Sequence, residues 1–175
     1  MTTTAVALRA IKLYPIPGRR EEFEERVARA KRWLRSAKAY SVEERSMQIN
    51  ALADAGASTS ERAPFVKGLE AVQNPDGSWS QLPGVPGEAY ATGEALYALH
   101  VSGDVPTKDA VYQKGVQWLL RNQLADGSWF VPTLAVPVQP HTFESGFPHG
   151  WSQFASEAGS SWASIALLFT LPDKR

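Results

Sequence analysis

Three groups of residues in this 175-residue chain combine the types and spacings that chemistry needs. The first is Glu88, Tyr90, Glu94 and Tyr97, within Glu88-Ala-Tyr-Ala-Thr-Gly-Glu-Ala-Leu-Tyr97. On a helix, Tyr90, Glu94 and Tyr97 share an approximate i, i+4, i+7 face. If that face lines a cavity, Glu94 is an acid with a perturbed pKa and the first candidate for acid catalysis, with Glu88 second. The plainer alternative is a glutamate at the wet end of the helix. Asn50 and Asp54 are spaced i, i+4 on another helix, and Asp54 joins Tyr90 and Tyr97 as a candidate ligand contact. The second group is His141, Glu144 and His149, in the Pro- and aromatic-rich stretch 139–162 with Trp151 and Trp162. Two histidines and a carboxylate can hold a metal, but this spacing matches no metal signature, so no metal or other cofactor is assigned. Long irregular segments are often functional. These five residues are therefore candidate ligand contacts, with simple packing as the alternative.

The third group occurs twice. Gln73-Asn-Pro-Asp-Gly77-Ser-Trp79 and Gln123-Leu-Ala-Asp-Gly127-Ser-Trp129 agree at five of seven positions, 50 residues apart. Asp-Gly-Ser makes a tight turn in which glycine supplies a positive φ. The tryptophan can anchor that turn and stack on the glutamine. Gln73, Gly77, Trp79, Gln123, Gly127 and Trp129 are therefore expected to be braces and not catalysts.

The elements around these residues alternate between two kinds of helix. Segments 2–14, 42–55, 88–102 and about 156–171 are rich in small residues and poor in charge, which suits an inner, crowded layer. Segments 20–38, 61–73 and 107–123 are amphipathic, with one wet face. Thr107 is the expected N-cap of the last of these. His100 ends an inner helix, where a cation complements the helix dipole. Gly and Pro clusters mark the turns, and three prolines demote 129–140 to an extended loop. The repeats run roughly 2–38, 42–79, 88–129 and 130–171, in one all-α domain.

Composition narrows the function classes. The chain has no cysteine, which excludes disulfides, thiolate metal sites and cysteine nucleophiles. Eighteen basic residues balance eighteen acidic ones, so binding to nucleic acid by bulk charge is not expected. No apolar run is long enough for a membrane span.

Lys114-Gly115-x-x-Trp118-Leu119-x-x-x-Gln123-x-x-x-Gly127-x-Trp129 resembles the QW motif of squalene–hopene and oxidosqualene cyclases, whose α/α toroid is shared by protein prenyltransferase β-subunits. The copy at 67–79 matches in part, and at Arg32-Trp33-Leu34 only the aromatic-Leu step remains. Uncharacterised bacterial prenyltransferase/squalene oxidase repeat proteins look most similar. The resemblance implies a partial toroid, about half of an α6/α6 ring. It implies a structural role for the QW residues and an apolar, isoprenoid-like ligand. Open ends of such a half ring would call for an oligomer or an additional N-terminal half. The same resemblance withholds the family's activities. The cyclases use an Asp-rich acid motif, and this chain has no Asp-Asp pair. The prenyltransferases use an Asp, a Cys and a His on zinc, and this chain has no Cys. The expected function is a non-catalytic ligand- or partner-binding scaffold. The alternative is an isoprenoid-processing enzyme completed by another segment or subunit.

Overall fold

The structure is a computed structural model that describes residues 1–134 and 144–172. Seven α-helices are present among the described residues, and no strand. They are α1 (Thr2–Leu13), α2 (Arg20–Ser36), α3 (Val42–Asp54), α4 (Thr59–Glu70), α5 (Ala89–Tyr97), α6 (Ala110–Asn122) and α7 (Gln153–Leu168). A π-helical turn, Ala98–Ser102, extends α5, and a 3-10 turn, Gly150–Ser152, leads into α7. The all-α reading therefore holds. Among the described residues no helix is long and apolar enough to cross a membrane.

Local chemistry sets the helix starts. Ser41 with Glu44 and Ser58 with Glu61 form reciprocal capping boxes on α3 and α4. The Glu88 carboxylate accepts the N–H groups of Tyr90 and Ala91 at the head of α5. The α6 cap is a correction to the sequence reading. Asp109, not Thr107, accepts the Val111 N–H, and the helix begins at Ala110. Thr107 instead lends its backbone carbonyl to the Gln113 side chain. An aspartate two residues closer to the apolar stripe outcompetes the threonine. Helix α7 begins at Gln153, three residues ahead of the expected 156, so Phe154 belongs to the helix.

Helices α1, α3, α5 and α7 form a row. Thr2 bonds Glu43 at one end of the α1–α3 seam, and Lys12 pairs with Asp54 at the other, so the two run parallel. Gly159 faces the Tyr90 backbone, Gly93 faces Trp162 and Ala163, and Phe169 packs on Tyr97 and His100. Helices α5 and α7 are therefore parallel too. Helices α2, α4 and α6 lie against this row, each packed on a helix adjacent to it in the chain.

Two apolar clusters result. The larger joins α3 through α7 around Ile49, Leu69, Trp79, Leu96, Leu99, Tyr112 and Leu119. The smaller joins α1, α2 and α3 around Leu8, Leu34, Ala51 and Leu52. Helix α3 contributes to both, and Phe65 of α4 packs against both.

The α5–α7 seam is the tightest contact and depends on glycine. A Cβ at Gly93 would lie 2.6 Å from the Ala163 nitrogen, on backbone that cannot rotate away. An exposed helical Gly→Ala change stabilises by roughly 0.5–1 kcal/mol. Gly93→Ala should reverse that sign and cost about 1–3 kcal/mol, as overpacking does. Denaturant unfolding checks it, and a variant as stable as the parent would refute the close approach.

Candidate functional site

The two Asp-Gly-Ser-Trp turns share one set of internal bonds. In each, the Asp side chain accepts the Ser N–H at 3.0 Å and the Ser hydroxyl at 2.7 Å. Each glutamine donates to the Gly carbonyl at 2.9 Å, and each indole N–H donates at 2.9 Å to the carbonyl ten residues back, Leu69 or Leu119. Gly77 and Gly127 have φ of 98° and 85°, the conformation that glycine tolerates. The glutamine thus closes the turn by hydrogen bonding, where stacking on the indole was expected. Only Gln73 makes a second bond, to the Val111 carbonyl at 3.0 Å.

These turns also position α5 and α7 of the row. The Trp79 N–H donates to the Thr92 hydroxyl on α5 at 2.9 Å, and the Trp129 N–H donates to Ser160 on α7 at 3.0 Å. Each turn therefore fixes the helix that follows it in the row. The first one fixes the helix that carries Glu94, two residues beyond Thr92.

Glu94 is wholly buried, and neither carboxyl oxygen has a hydrogen-bond partner among the described residues. Burial raises its pKa to about 8, and the charges of Glu43 on α3 and Glu88 add to the rise. The reading of Glu94 as a glutamate at the wet end of its helix does not fit this burial. Two further acceptors are buried without partners, Ser46 Oγ and Asn50 Oδ1, one turn apart on α3. Asn50 shares a helix face with Glu43, seven residues earlier. Helices α3 and α5, which pack on each other, thus carry four buried polar atoms without partners among the described residues. Buried polar groups are normally paired, so the Glu94 carboxyl, with two of the four, marks the candidate site.

Tyr90 borders it. Its phenol accepts a hydrogen bond from Trp162, and burial first, then Glu94 and Glu43, pushes its pKa to about 12. It stays a neutral donor at any ordinary pH. Tyr97 meets Trp162 edge-on, with ring centroids 5.2 Å apart. Glu88 is buried and its pKa is raised, chiefly by desolvation, but its oxygens serve the α5 cap. The sequence candidates Tyr90, Glu94, Tyr97 and Trp162 are thus brought together, with Glu88 beside them as a cap.

The others lie elsewhere. Asp54 pairs with Lys12 at 2.9 Å and Arg9 at 3.6 Å, at the far end of the α1–α3 seam. His100 Nδ1 donates to the Val105 carbonyl at 2.9 Å and so braces the turn after its helix. His141 lies outside the described residues. Glu144 accepts from the Gln153 amide, and Trp151 is largely exposed on the 3-10 turn. His149 Nε2 lies 2.9 Å from Ser128 Oγ, which makes a Ser–His–Asp set with Asp126. The order of contacts is wrong for nucleophilic catalysis, because the Ser128 hydroxyl donates to Asp126 and the histidine does not stand between them. In the first turn Asn74 Nδ2 occupies the same place against Ser78, at 3.0 Å. His149 is therefore a turn brace.

Sequence reasoning missed Glu43 and Ser46. A first-turn acid on α3 reads as a helix-dipole partner, and a serine among small residues carries no signal. No protein-family model matches the chain.

Proposed function

We propose that this chain is an α/α repeat domain of the terpenoid-cyclase/prenyltransferase toroid type, about half of a ring. Its inner layer would be α1, α3, α5 and α7 and its outer layer α2, α4 and α6. The duplicated turns, with their shared set of internal bonds, support the QW-repeat reading. The exposed apolar residues at the two ends of the row, Val6 and Leu13 on α1 and Ile165 and Leu168 on α7, support closure by an oligomer or by a further half ring.

In this reading the domain holds an apolar, isoprenoid-like ligand without converting it on its own. Glu94 carries the proposal: a carboxyl held neutral in an apolar layer is a hydrogen-bond donor waiting for one oxygen acceptor. Farnesol should change the fluorescence of Trp162 saturably. Glu94→Gln, which keeps an N–H donor, should bind farnesol about as well, and Glu94→Leu should lose roughly tenfold or more. Equal binding by the Leu variant would remove Glu94 from the site.

The rival reading is an isoprenoid-processing enzyme completed by another segment or subunit, with Glu94 as Brønsted acid. The same neutral carboxyl favours it, because a proton donor must still hold its proton at neutral pH. Turnover of squalene, its epoxide or a prenyl diphosphate by this chain, abolished in Glu94→Gln, would decide for the enzyme. Glutamine separates the two cases because it donates a hydrogen bond but no proton.

A further inference from the structure

We propose that a second site, the cleft around Arg45, binds a carboxylate carried on an apolar chain. The cleft has a volume of about 430 Å³ and lies between the start of α3, the end of α4 and the loop 80–87. That size falls within the roughly 300–1,000 Å³ of small-ligand pockets. Tyr40, Val72, Leu82, Pro83 and Val85 give it an apolar wall, and Arg45 is its only charged lining residue.

Arg45 has no stabilising role that explains its place. Among the described residues two arginines are not classed as exposed, Arg62 and Arg45. Arg62 donates to the Ser102 carbonyl and pairs with Asp104 at 2.7 Å. Among the described residues the half-buried Arg45 guanidinium has neither an ion pair nor a hydrogen bond. Its acidic neighbours are taken: Glu44 accepts the N–H groups of Tyr40 and Ser41, and Glu43 accepts from Thr2. Arg45 is also the fourth residue of α3, where the helix dipole disfavours a cation. The guanidinium lies against Gly68 of α4, with Nη1 3.7 Å from where a side-chain carbon would begin. A cation half-withdrawn from water, unpaired, at the wrong end of a helix and walled by apolar groups is complementary to an anion with an apolar body.

Charge balance selects the anion. One guanidinium matches one negative charge, and its fork fits the two oxygens of a carboxylate. The other polar groups are partly engaged: the Asn74 amide donates to Ser78 and Ser80, and the Gln81 side chain bonds Glu88. They leave no second cation for a phosphate dianion.

Titration of the full chain with octanoate, octanol and octyl phosphate, followed by calorimetry, tests the site. Octanoate should bind saturably and octanol should not. Arg45→Gln, with folding checked by circular dichroism, should weaken octanoate at least about tenfold, the value of a charge-assisted hydrogen bond. Leu82→Asp sits at an exposed position, leaves Arg45 in place and should weaken octanoate by repulsion. Equal binding of octanol and octanoate, unchanged binding in both variants, or octyl phosphate binding more tightly than octanoate would each overturn the proposal.

Discussion

Unfolding free energy should fall as pH rises from about 4.5 to about 8 and then level off, and Glu94→Gln should flatten that fall. The folded-state pKa of Glu94 is about 8, against an ordinary 4.5. Between those values the unfolded chain releases the proton and the folded one keeps it. Stability is therefore full below the unfolded pKa and lost as pH climbs towards the folded one. The interval corresponds to a loss on the order of 5 kcal/mol, a large part of the roughly 5–15 kcal/mol that holds a domain together. Glu43 on α3 and Glu88 at the head of α5 face the carboxyl, and Tyr90, bonded to Trp162 of α7, stays neutral. Glu88 is raised as well and adds to the slope in the same direction. Urea unfolding at intervals between pH 4.5 and 9 measures the effect. Parallel curves for the parent and Glu94→Gln would show that Glu94 is not the titrating group. Above pH 8 the variant should be the more stable protein, since it buries an amide where the parent must bury a charge or hold a proton.

Trp79→Ala should cost about 3–5 kcal/mol, the range for emptying a fully buried large aromatic site. The indole is completely enclosed, and Gly115 of α6 packs against it so closely that a Cβ there would lie 3.1 Å from Cζ3. Loss of the ring leaves a cavity among Leu69, Leu96 and Leu119 and removes the indole N–H from the Leu69 carbonyl, which keeps only the backbone donors that follow α4. Trp79→Phe separates the two effects. It keeps most of the apolar volume and should cost about 1–3 kcal/mol for the lost indole hydrogen bond together with the smaller ring. Thermal or denaturant unfolding supplies the numbers, and an alanine variant within 1 kcal/mol of the parent would contradict the brace. Because the backbone of this residue also holds Thr92, the damage should spread to the Glu94 seam and lower ligand affinity.

Much of the fold is legible in the sequence because its punctuation is chemical. Asp-Gly turns and Pro–Gly breaks place most helix ends within two or three residues, while the unread Ser58–Glu61 box starts α4 at Thr59 where 61 was expected. The exceptions come from competition between neighbours, as where Asp109 displaces Thr107 as a cap. At the site, the i, i+4, i+7 spacing on α5 identifies Tyr90, Glu94 and Tyr97 as one face. It does not tell a wet face from a dry one, because that depends on which helix lies opposite. Glu43, Ser46 and Asn50 come from α3, more than forty residues away. The weight of Glu43 arises only when the row packs α3 on α5 and brings its charge to bear on Glu94. Arg45 is illegible for a related reason. In the sequence it belongs to a charged run, and only the packing shows that its acidic neighbours have gone to other partners.

The division of the interior into two apolar clusters has a dynamic consequence. Among the described residues only α3 and Phe65 span both, so the smaller cluster around Leu8 and Leu34 can open while the larger stays closed. Backbone amides of α1 and α2 should then exchange with deuterium through partial opening, and those of α5 and α6 only on global unfolding. Such opening would leave Glu94 enclosed but break the Thr2–Glu43 bond and let water reach the acid that acts on it. The far end of the chain would then tune the buried carboxyl through fluctuations, without touching it.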